Sequence, residues 1–474
     1  MINITLKLCC CSLFVTFLTG TIALASENSI FATHNNVLTY GNDNSFNSIL
    51  LAQADTVPSV EDRDLELGRE IEDHRARKPE GSLVSGSDMF GEGGYVHPFI
   101  SIAEIYSDNI FSENTEKDSD FSTIVSPGVW FAMPSSRTQL LDLNTSNSMP
   151  GGLATWREKT TYFKRYQTYL LYQADFTAYH DYSDSNTNNH RVEGLFEYNL
   201  KGGLSFDIVE EYKKSQDPYS TAVSTQLDKY QTNLVDTTIS YDLSELFMMR
   251  AGYSNFWVEY DDVANEGRNR LDNSFSAYVS YKAKPKTTLF TEYKFTDVDY
   301  DKQTVSGSEM HYINGGLNWD VTPKTSLKIK TGYVHKDFDT AGIDDVDDIE
   351  VELRGVFNFK TNASAQLTAQ RSVTETITVT ADYMLTHSVS LSYIHDLNSK
   401  ISANFLLSYA SDKYQRIGTQ ERRDDIYSFF PGVDYAFTDW LLAGLTYSYT
   451  ERDSNFDAND YTNNIFLLRG TISF

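Results

Sequence analysis

Cysteine is almost absent from this chain, and the only three cysteines stand side by side at residues 9–11. They lie in an N-terminal segment with the features of a secretory signal peptide: Lys7, an apolar run from Leu8 to Leu18, and the small-residue sequence Ala23-Leu24-Ala25. We predict that residues 1–25 are removed after Ala25. The mature chain then has no thiol for a disulfide or a thiolate metal site, and we expect no metal or cofactor.

Long apolar runs are also missing beyond the signal segment. No stretch after residue 25 approaches the roughly 18 consecutive apolar residues that a membrane-spanning helix needs. Basic residues are scarce too, because 39 Lys and Arg face 66 Asp and Glu for a formal net charge of −27. This balance excludes nucleic acid as a natural partner.

What the chain does contain is repeated alternation of apolar and polar residues, the pattern of β-strands with two different faces. The segment 348–359 is an example, with Ile349, Val351, Leu353, Gly355, Phe357 and Phe359 on one face and Glu350, Glu352, Arg354 and Asn358 on the other. Val356 is its one exception. Aromatic residues make up 14% of the sequence, as expected for a protein with aromatic girdles at two membrane interfaces.

The connections between these segments alternate in length. Short polar turns such as 201–203, 284–286 and 322–324 recur about every forty residues, and longer acidic loops such as 183–189 and 337–348 lie between them. Short turns on one rim and long loops on the other are typical of outer-membrane barrels. A soluble sandwich or a β-propeller is the alternative, but each repeat here holds two long strands rather than a blade's four short ones.

We therefore predict an all-β fold, a transmembrane antiparallel up-and-down β-barrel of about eighteen strands (sixteen to twenty), over residues 95–474. Residues 26–94 are polar and mixed, and we expect a flexible periplasmic leader there. Residues 135–159 are longer than the other short-side connections, and the sequence leaves open an extended turn, a constriction or a short helix.

The last strand has the alternation of a barrel-assembly signal, read by the assembly machinery. Its apolar stripe is Phe466, Leu468, Gly470, Ile472 and Phe474, and Phe474 is the last residue of the sequence. An ordinary edge strand that ends in Phe is the alternative. We expect both termini to be periplasmic.

Charged residues in the middle of strands are the candidates for lining a water-filled lumen, because hydrocarbon would not tolerate them. The candidates are Glu193, Glu197, Glu211, Glu350, Glu352, Arg354, Asp434 and Arg469. We prefer the interpretation that these residues form a solvated lumen wall over the alternative that they form a row of binding sites for a specific substrate. The acidic pairs predict at most a mild preference for cations.

The first hairpin carries a resemblance to a known family. The motifs His97-Pro98-Phe99, Tyr106-Ser107-Asp108-Asn109-Ile110-Phe111, Asp120-Phe121-Ser122-Thr123-Ile124 and Ser126-Pro127-Gly128-Val129 stand in that order. Together they resemble the putative β-barrel porin 2 family of outer-membrane barrels, which includes proteins from exopolysaccharide operons. The resemblance implies a channel in the outer membrane of a Gram-negative bacterium that serves exopolysaccharide export or diffusion of small hydrophilic solutes, with no catalytic residues to carry over.

Other functions stay open from the sequence alone. A plugged structural or adhesive barrel fits the long loops, whereas an outer-membrane hydrolase lacks a convincing Ser or Asp partner for its histidines. The segment 337–342 resembles a calcium loop, but Ala341 stands at a ligand position, so a solvated acidic loop is preferred. The expected partners are outer-membrane lipid, lipopolysaccharide bridged by divalent cations to the acidic loops, and an exopolysaccharide or its export proteins.

Overall fold

A computed structural model describes residues 95–133, 165–218, 227–302, 305–360, 362–375, 381–415, 421–438 and 440–473. The predicted signal peptide (1–25), the predicted leader (26–94) and the segment 135–159 lie outside the described residues. Among the residues that are described, no helix has the length and apolarity needed to cross a membrane.

Eighteen long strands make up nearly all of the described chain. They are β1 Val96–Ser107, β2 Asp120–Met133, β3 Tyr166–Tyr179, β4 Thr187–Asn199, β5 Leu204–Pro218, β6 Leu227–Asp242, β7 Phe247–Tyr260, β8 Arg270–Lys284, β9 Thr287–Tyr300, β10 Ser308–Thr322, β11 Thr325–Phe338, β12 Val346–Lys360, β13 Ala363–Thr374, β14 Tyr383–Asp396, β15 Ile401–Gln415, β16 Arg422–Thr438, β17 Leu441–Ser454 and β18 Tyr461–Ser473. Short 3-10 segments occur at Ser183–Ser185, Val263–Arg268 and Asp457–Asn459.

The strands form one closed antiparallel ring. Each strand pairs with its neighbours in sequence, and β1 pairs with β18 from Phe99–Ser473 to Ser107–Ile465. Both edges of every strand are therefore hydrogen-bonded, which is the condition for β structure in hydrocarbon. The predicted up-and-down barrel of about eighteen strands is confirmed, and the sandwich, propeller and edge-strand alternatives are wrong.

Alternation along each strand separates an outward apolar face from an inward polar one. Ile349 and Phe359 at the two ends of the β12 stripe are 56% and 58% exposed, although both are large and apolar. Ten residues at about 3.3 Å each, tilted by about 40°, give an apolar band of about 25 Å. This height matches the hydrocarbon zone of an outer-membrane barrel.

Two rows of outward aromatic side chains border this band. On the long-loop side they include Tyr106, Phe121, Phe176, Trp257, Phe275, Tyr293, Tyr333, Tyr409, Tyr427, Tyr449 and Phe466. On the short-turn side they include Phe131, Tyr166, Tyr198, Phe206, Tyr241, Phe247, Tyr281, Trp319, Phe357, Tyr393 and Tyr435. Neighbouring rings pack together, as in Phe247–Tyr281 with centroids 4.8 Å apart. The predicted girdles are thus present at both interfaces.

The final strand presents its apolar stripe to the outside. Phe466 and Leu468 are more than half exposed, and Gly470 and Ile472 share their face. Arg469 and Thr471 point inward and are buried. Phe474 lies outside the described residues, so the role of the stripe as an assembly signal stays a prediction.

Candidate functional site: the inward face of the barrel

The inward face can be followed from strand to strand, because register partners on adjacent strands share one face of the sheet. This tracing places all eight lumen candidates on the inward face. They are less exposed to solvent than the sequence suggested. Five of them are buried: Glu193, Glu197, Glu211, Asp434 and Arg469. Each has polar partners, and whether any contacts a solute stays a prediction.

A cluster of opposite charges occupies the middle of β9 to β12. Lys330 on β11 lies among three carboxylates, with its Nζ 3.8 Å from Glu292 Oε2, 3.8 Å from Glu350 Oε2 and 3.5 Å from Glu352 Oε2. We call these four residues the Lys330 cluster. The two β12 glutamates were among the predicted lumen residues, whereas Lys330 and Glu292 were not. The alternation around them is equally regular, but only the register shows that the four side chains meet.

A glycine makes one contact of this cluster possible. Asn314, Gly332 and Glu350 are register partners on β10, β11 and β12. The Asn314 amide Nδ2 donates to Glu350 Oε2 at 2.9 Å and to Glu292 Oε2 at 3.3 Å. A Cβ at position 332 would collide with Asn314 Oδ1 and the Ile313 carbonyl oxygen. Gly332 therefore lets side chains from two non-adjacent strands touch.

Further cations surround the Lys330 cluster. Lys294 Nζ lies 4.0 Å from the centre of the Tyr312 ring, and Lys328 Nζ lies 5.7 Å from that of Phe290. Arg354 donates from Nε to Gln366 Oε1 at 3.2 Å. Three carboxylates and four cations thus share this part of the wall. The acidic residues of β12 do not present an uncompensated negative surface.

A second charged group lies on β4 and β5. Arg191 Nη2 contacts Glu193 and lies 3.5 Å from Glu211 Oε2, and Lys213 Nζ lies 3.8 Å from Glu211 Oε1. Glu197 accepts a hydrogen bond of 2.7 Å from the Asn199 amide. Here too the predicted acidic residues have basic or amide partners beside them. These are the pairings that allow charges to be buried.

A third pairing lies nearer the short-turn rim. Asp434, Gly444 and Arg469 are register partners on β16, β17 and β18. A Cβ at position 444 would stand 2.6 Å from Asp434 Oδ1 and 3.7 Å from Arg469 Nη2. Asp434 Oδ2 also accepts from Asn404 Nδ2 at 3.3 Å. A glycine again leaves the space in which charged groups from two non-adjacent strands approach each other.

Between these charged regions the inward wall is mostly uncharged and hydrogen-bonding. On β13 to β17 it carries Gln366, Thr368, Gln370, Ser372, Thr386, Ser388, Ser390, Ser392, Ser408, Ser428, Ser448 and Thr450. An apolar group formed by Leu406, Ile426 and Phe430 interrupts it, and its long-loop end carries the charged residues Asp412, Arg422, Asp424 and Arg452. Such a surface offers hydroxyl and amide groups without a net charge.

The long-loop end of the inward face is densely packed at β8 to β13. Pairing between β12 and β13 ends at Val351–Arg371, but β13 continues with β14 to Thr374–Met384. Val373, which lies beyond the last residue of β13 that pairs with β12, packs with Tyr300 and Val334. The end of β13 together with Glu375, residues 372–375, has therefore left the wall and reaches over the inward face of β9 to β11; we call this segment the tip of β13.

Charges fix the tip of β13 in place. Glu375 contacts Lys336 Nζ and accepts a hydrogen bond of 2.9 Å from the Tyr300 hydroxyl. Lys336 and Glu375 are 0% and 1% exposed. Next to them Arg270 Nε donates to Asp272 Oδ1 at 2.9 Å, and both residues are buried. We call Tyr300, Lys336 and Glu375 the mouth triad. Sequence analysis missed it, because no local pattern shows that β13 leaves the wall.

Two of the histidines considered for catalysis, His311 and His335, lie on the outward face near the long-loop rim. Register places Phe295, His311, His335 and Asp347 in one row, with His335 Nδ1 2.7 Å from Asp347 Oδ1. This row contains no serine, threonine or cysteine to act as a nucleophile. Within the described ranges, no group of three or more His, Cys, Asp or Glu side chains is arranged to hold a metal ion.

A closed ring of eighteen strands with an outward apolar band and a charged inward face defines a porin-like outer-membrane barrel. The family model described as Putative beta-barrel porin 2 matches residues 144–474. The chain belongs to this family, and the resemblance inferred from the sequence is confirmed. The match begins after the first hairpin, so the motifs that suggested the family lie outside it.

Solved structures similar to this chain include proteins of two bacteria. Acinetobacter baumannii OccAB4 is 12% identical, with 81% of this chain and 99% of that chain covered and a TM-score of 0.42. Pseudomonas aeruginosa OpdK with vanillate is 10% identical, with 80% and 100% covered and a TM-score of 0.43. Pseudomonas aeruginosa OccK5 (OpdH) is 11% identical, with 80% and 98% covered and a TM-score of 0.42. No curated protein matches the chain.

Proposed function

We propose that this protein is an outer-membrane channel for hydrophilic molecules, with its termini in the periplasm and its long loops outside the cell. The inward face carries the proposal, because the Lys330 cluster and the uncharged wall of β13 to β17 line the middle of a closed ring. The side chains of Lys330, Glu350 and Glu352 keep 12–16% of their surface exposed, which fits a charged wall beside water or polar solutes. The outward stripe of β18 supports recognition by the barrel-assembly machinery.

Two kinds of permeant fit the inward wall. Hydroxyl and amide groups without net charge suit saccharides, which supports an exopolysaccharide or its fragments. The compensated charges of the Lys330 cluster equally suit small hydrophilic solutes of either sign. A plugged structural or adhesive barrel is the second candidate, and the packing of Val373 and Glu375 over β9 to β11 favours it.

Liposome swelling distinguishes these functions. Mature protein is refolded into liposomes, and swelling is followed in iso-osmotic glucose, in a trisaccharide and in longer neutral and acidic oligosaccharides, with heat-denatured protein as the control. Swelling in small sugars supports general diffusion, and swelling in long acidic oligosaccharides supports export. Folded protein that gives no swelling in any sugar would contradict the channel and favour the plugged barrel.

A further inference from the structure

A row of basic side chains lies on the outward face of the barrel near the long-loop rim. Arg371 of β13 and His387 of β14 are register partners, and so are Lys413 of β15 and Arg423 of β16. These four residues on four consecutive strands are called the basic strip. They belong to a chain whose formal net charge is −27, so their concentration at one place needs a reason.

The middle of the strip is electrostatically unfavourable by itself. Lys413 and Arg423 are directly opposite each other, and like charges at such positions destabilise a sheet. Arg423 donates to Asp425 Oδ1 at 3.1 Å, and its side chain stays 49% exposed. Within the part of the chain that the structure describes, Lys413 has no ion-pair partner. An anion placed between these two cations would relieve their repulsion.

The other end of the strip is held in a defined position. Arg371 donates from Nη2 to Asp348 Oδ1 at 2.5 Å and from Nε to the Ile349 carbonyl oxygen at 3.2 Å. Arg371 also contacts the His387 ring. Since β12 and β13 separate beyond Arg371, these bonds fix its guanidinium at the gap. The strip is thus partly preorganised.

The position of the strip matches a lipid headgroup. Tyr409 and Tyr427, with ring centroids 5.2 Å apart, lie four residues below Lys413 and Arg423 on the same outward face. Below them Leu407 and Phe429 are exposed to the hydrocarbon. Four residues of a tilted strand place the cations about 10 Å above the ring pair. An aromatic girdle marks the membrane–water interface, so cations above it lie on the headgroup side of the hydrocarbon.

We infer that the basic strip binds the phosphate groups of lipopolysaccharide in the outer leaflet. This inference rests on the orientation proposed above, with the long loops outside, and does not depend on the lumen being open. It differs from cation-bridged binding to acidic loops, because phosphate oxygens contact Lys413 and Arg423 directly. Charge-assisted bonds from lysine and arginine to phosphate supply the affinity.

Binding of fluorescent lipopolysaccharide to refolded protein in detergent tests the inference, with EDTA present to remove bridging divalent cations. The double variant Lys413→Gln with Arg423→Gln is compared with Lys214→Gln with Lys229→Gln, which removes the same charge from the outward rim at β5 and β6. We expect about tenfold weaker binding for the first variant and no change for the control. Dephosphorylated lipopolysaccharide should bind the wild type as weakly as the first variant binds the phosphorylated form.

Three outcomes would overturn the inference: equal loss in both double variants, equal binding of dephosphorylated lipid, or equally tight binding of phosphatidylglycerol. Equally tight binding of phosphatidylglycerol would indicate that the basic strip contacts inner-leaflet phospholipid. Conductance of the strip variant should equal that of the wild type. If neither protein conducts while the wild type still binds lipopolysaccharide more tightly than the strip variant, the proposed function is rejected and the inference about the basic strip is kept.

Discussion

Asn314 and Glu350 lie on strands that are not adjacent, yet the Asn314 amide donates to the Glu350 carboxylate at 2.9 Å. Gly332 on the strand between them supplies the necessary space. The contact ties three consecutive strands together on the inward face and orients the carboxylate toward Lys330. The spacing of charges in the lumen wall therefore depends on a residue that carries no charge.

The space that Gly332 leaves between β10 and β12 leads to a stability prediction. Gly332→Ala places a Cβ against Asn314 and the backbone of β10, so we expect the free energy of unfolding to fall by about 1–3 kcal/mol. The measurement is the thermal midpoint of β circular dichroism in detergent. Gly315→Ala on the adjacent strand is the control, because its Cβ would meet only the Phe290 carbonyl oxygen at 3.8 Å. Equal midpoints for both variants would contradict the account.

A second prediction concerns ion selectivity. Lys330→Gln removes the cation that three carboxylates share, so we expect the cation-to-anion permeability ratio to rise by roughly twofold. Reversal potentials in a salt gradient measure this ratio. Lys214→Gln, the same change on the outward face, should leave it unaltered. A shift toward anions, or an equal shift in the control, would show that the Lys330 cluster does not face the permeating ions.

A third prediction concerns the mouth triad. Glu375→Ala leaves the buried Lys336 ammonium without its carboxylate, which should lower the free energy of unfolding by about 3 kcal/mol. Lys336→Met with Glu375→Leu should recover most of this loss, because neither charge then remains. Denaturant titrations of Lys336→Met, Glu375→Leu and the double variant give the double-mutant cycle.

An exposed pair provides the control for the mouth triad. Lys214 Nζ lies 4.0 Å from Asp261 Oδ2, and both side chains are well exposed. Asp261→Ala should therefore cost less than about 1 kcal/mol. If Glu375→Ala costs as little as Asp261→Ala, the tip of β13 is not held by a buried ion pair.

A fourth prediction concerns pH at the loop between β11 and β12. A hydrogen bond to the Asp337 carboxylate raises the pKa of Asp345 above its ordinary value. A raised acid pKa means that the contact is present while Asp345 is protonated and is lost as the pH rises through that pKa. Carbon-13 titration of labelled aspartate carboxyls should show one resonance with a raised pKa that disappears in Asp345→Asn. Asp344→Asn is the assignment control, and persistence of the resonance in Asp345→Asn would contradict the assignment.

The barrel could be predicted from the sequence because the pattern that indicates it is local. Alternation fixes which residues of β12 face inward, and the short turns fix where each hairpin ends, so Glu350, Glu352 and Arg354 were placed correctly on one face. The contacts of these residues depend on register across several strands, which no single segment encodes. Asn314, Gly332 and Lys330 each look unremarkable in their own strands.

The mouth triad was beyond prediction for a different physical reason. Glu375 follows a strand whose alternation continues without interruption, yet the pairing with β12 stops four residues earlier at Arg371. The separation is a tertiary effect, produced by the apolar packing of Val373 on β9 to β11. The burial of charged side chains was also not predicted. The sequence suggested charges solvated by water in the lumen, whereas the structure pairs them with opposite charges or amide groups.

Single-channel recording of the refolded mature protein in planar bilayers tests the channel most directly. We predict discrete, stable conductance steps with weak ion selectivity, and reduced current when oligosaccharide is added to either side. Folded, heat-modifiable barrels that insert without any conductance would contradict it.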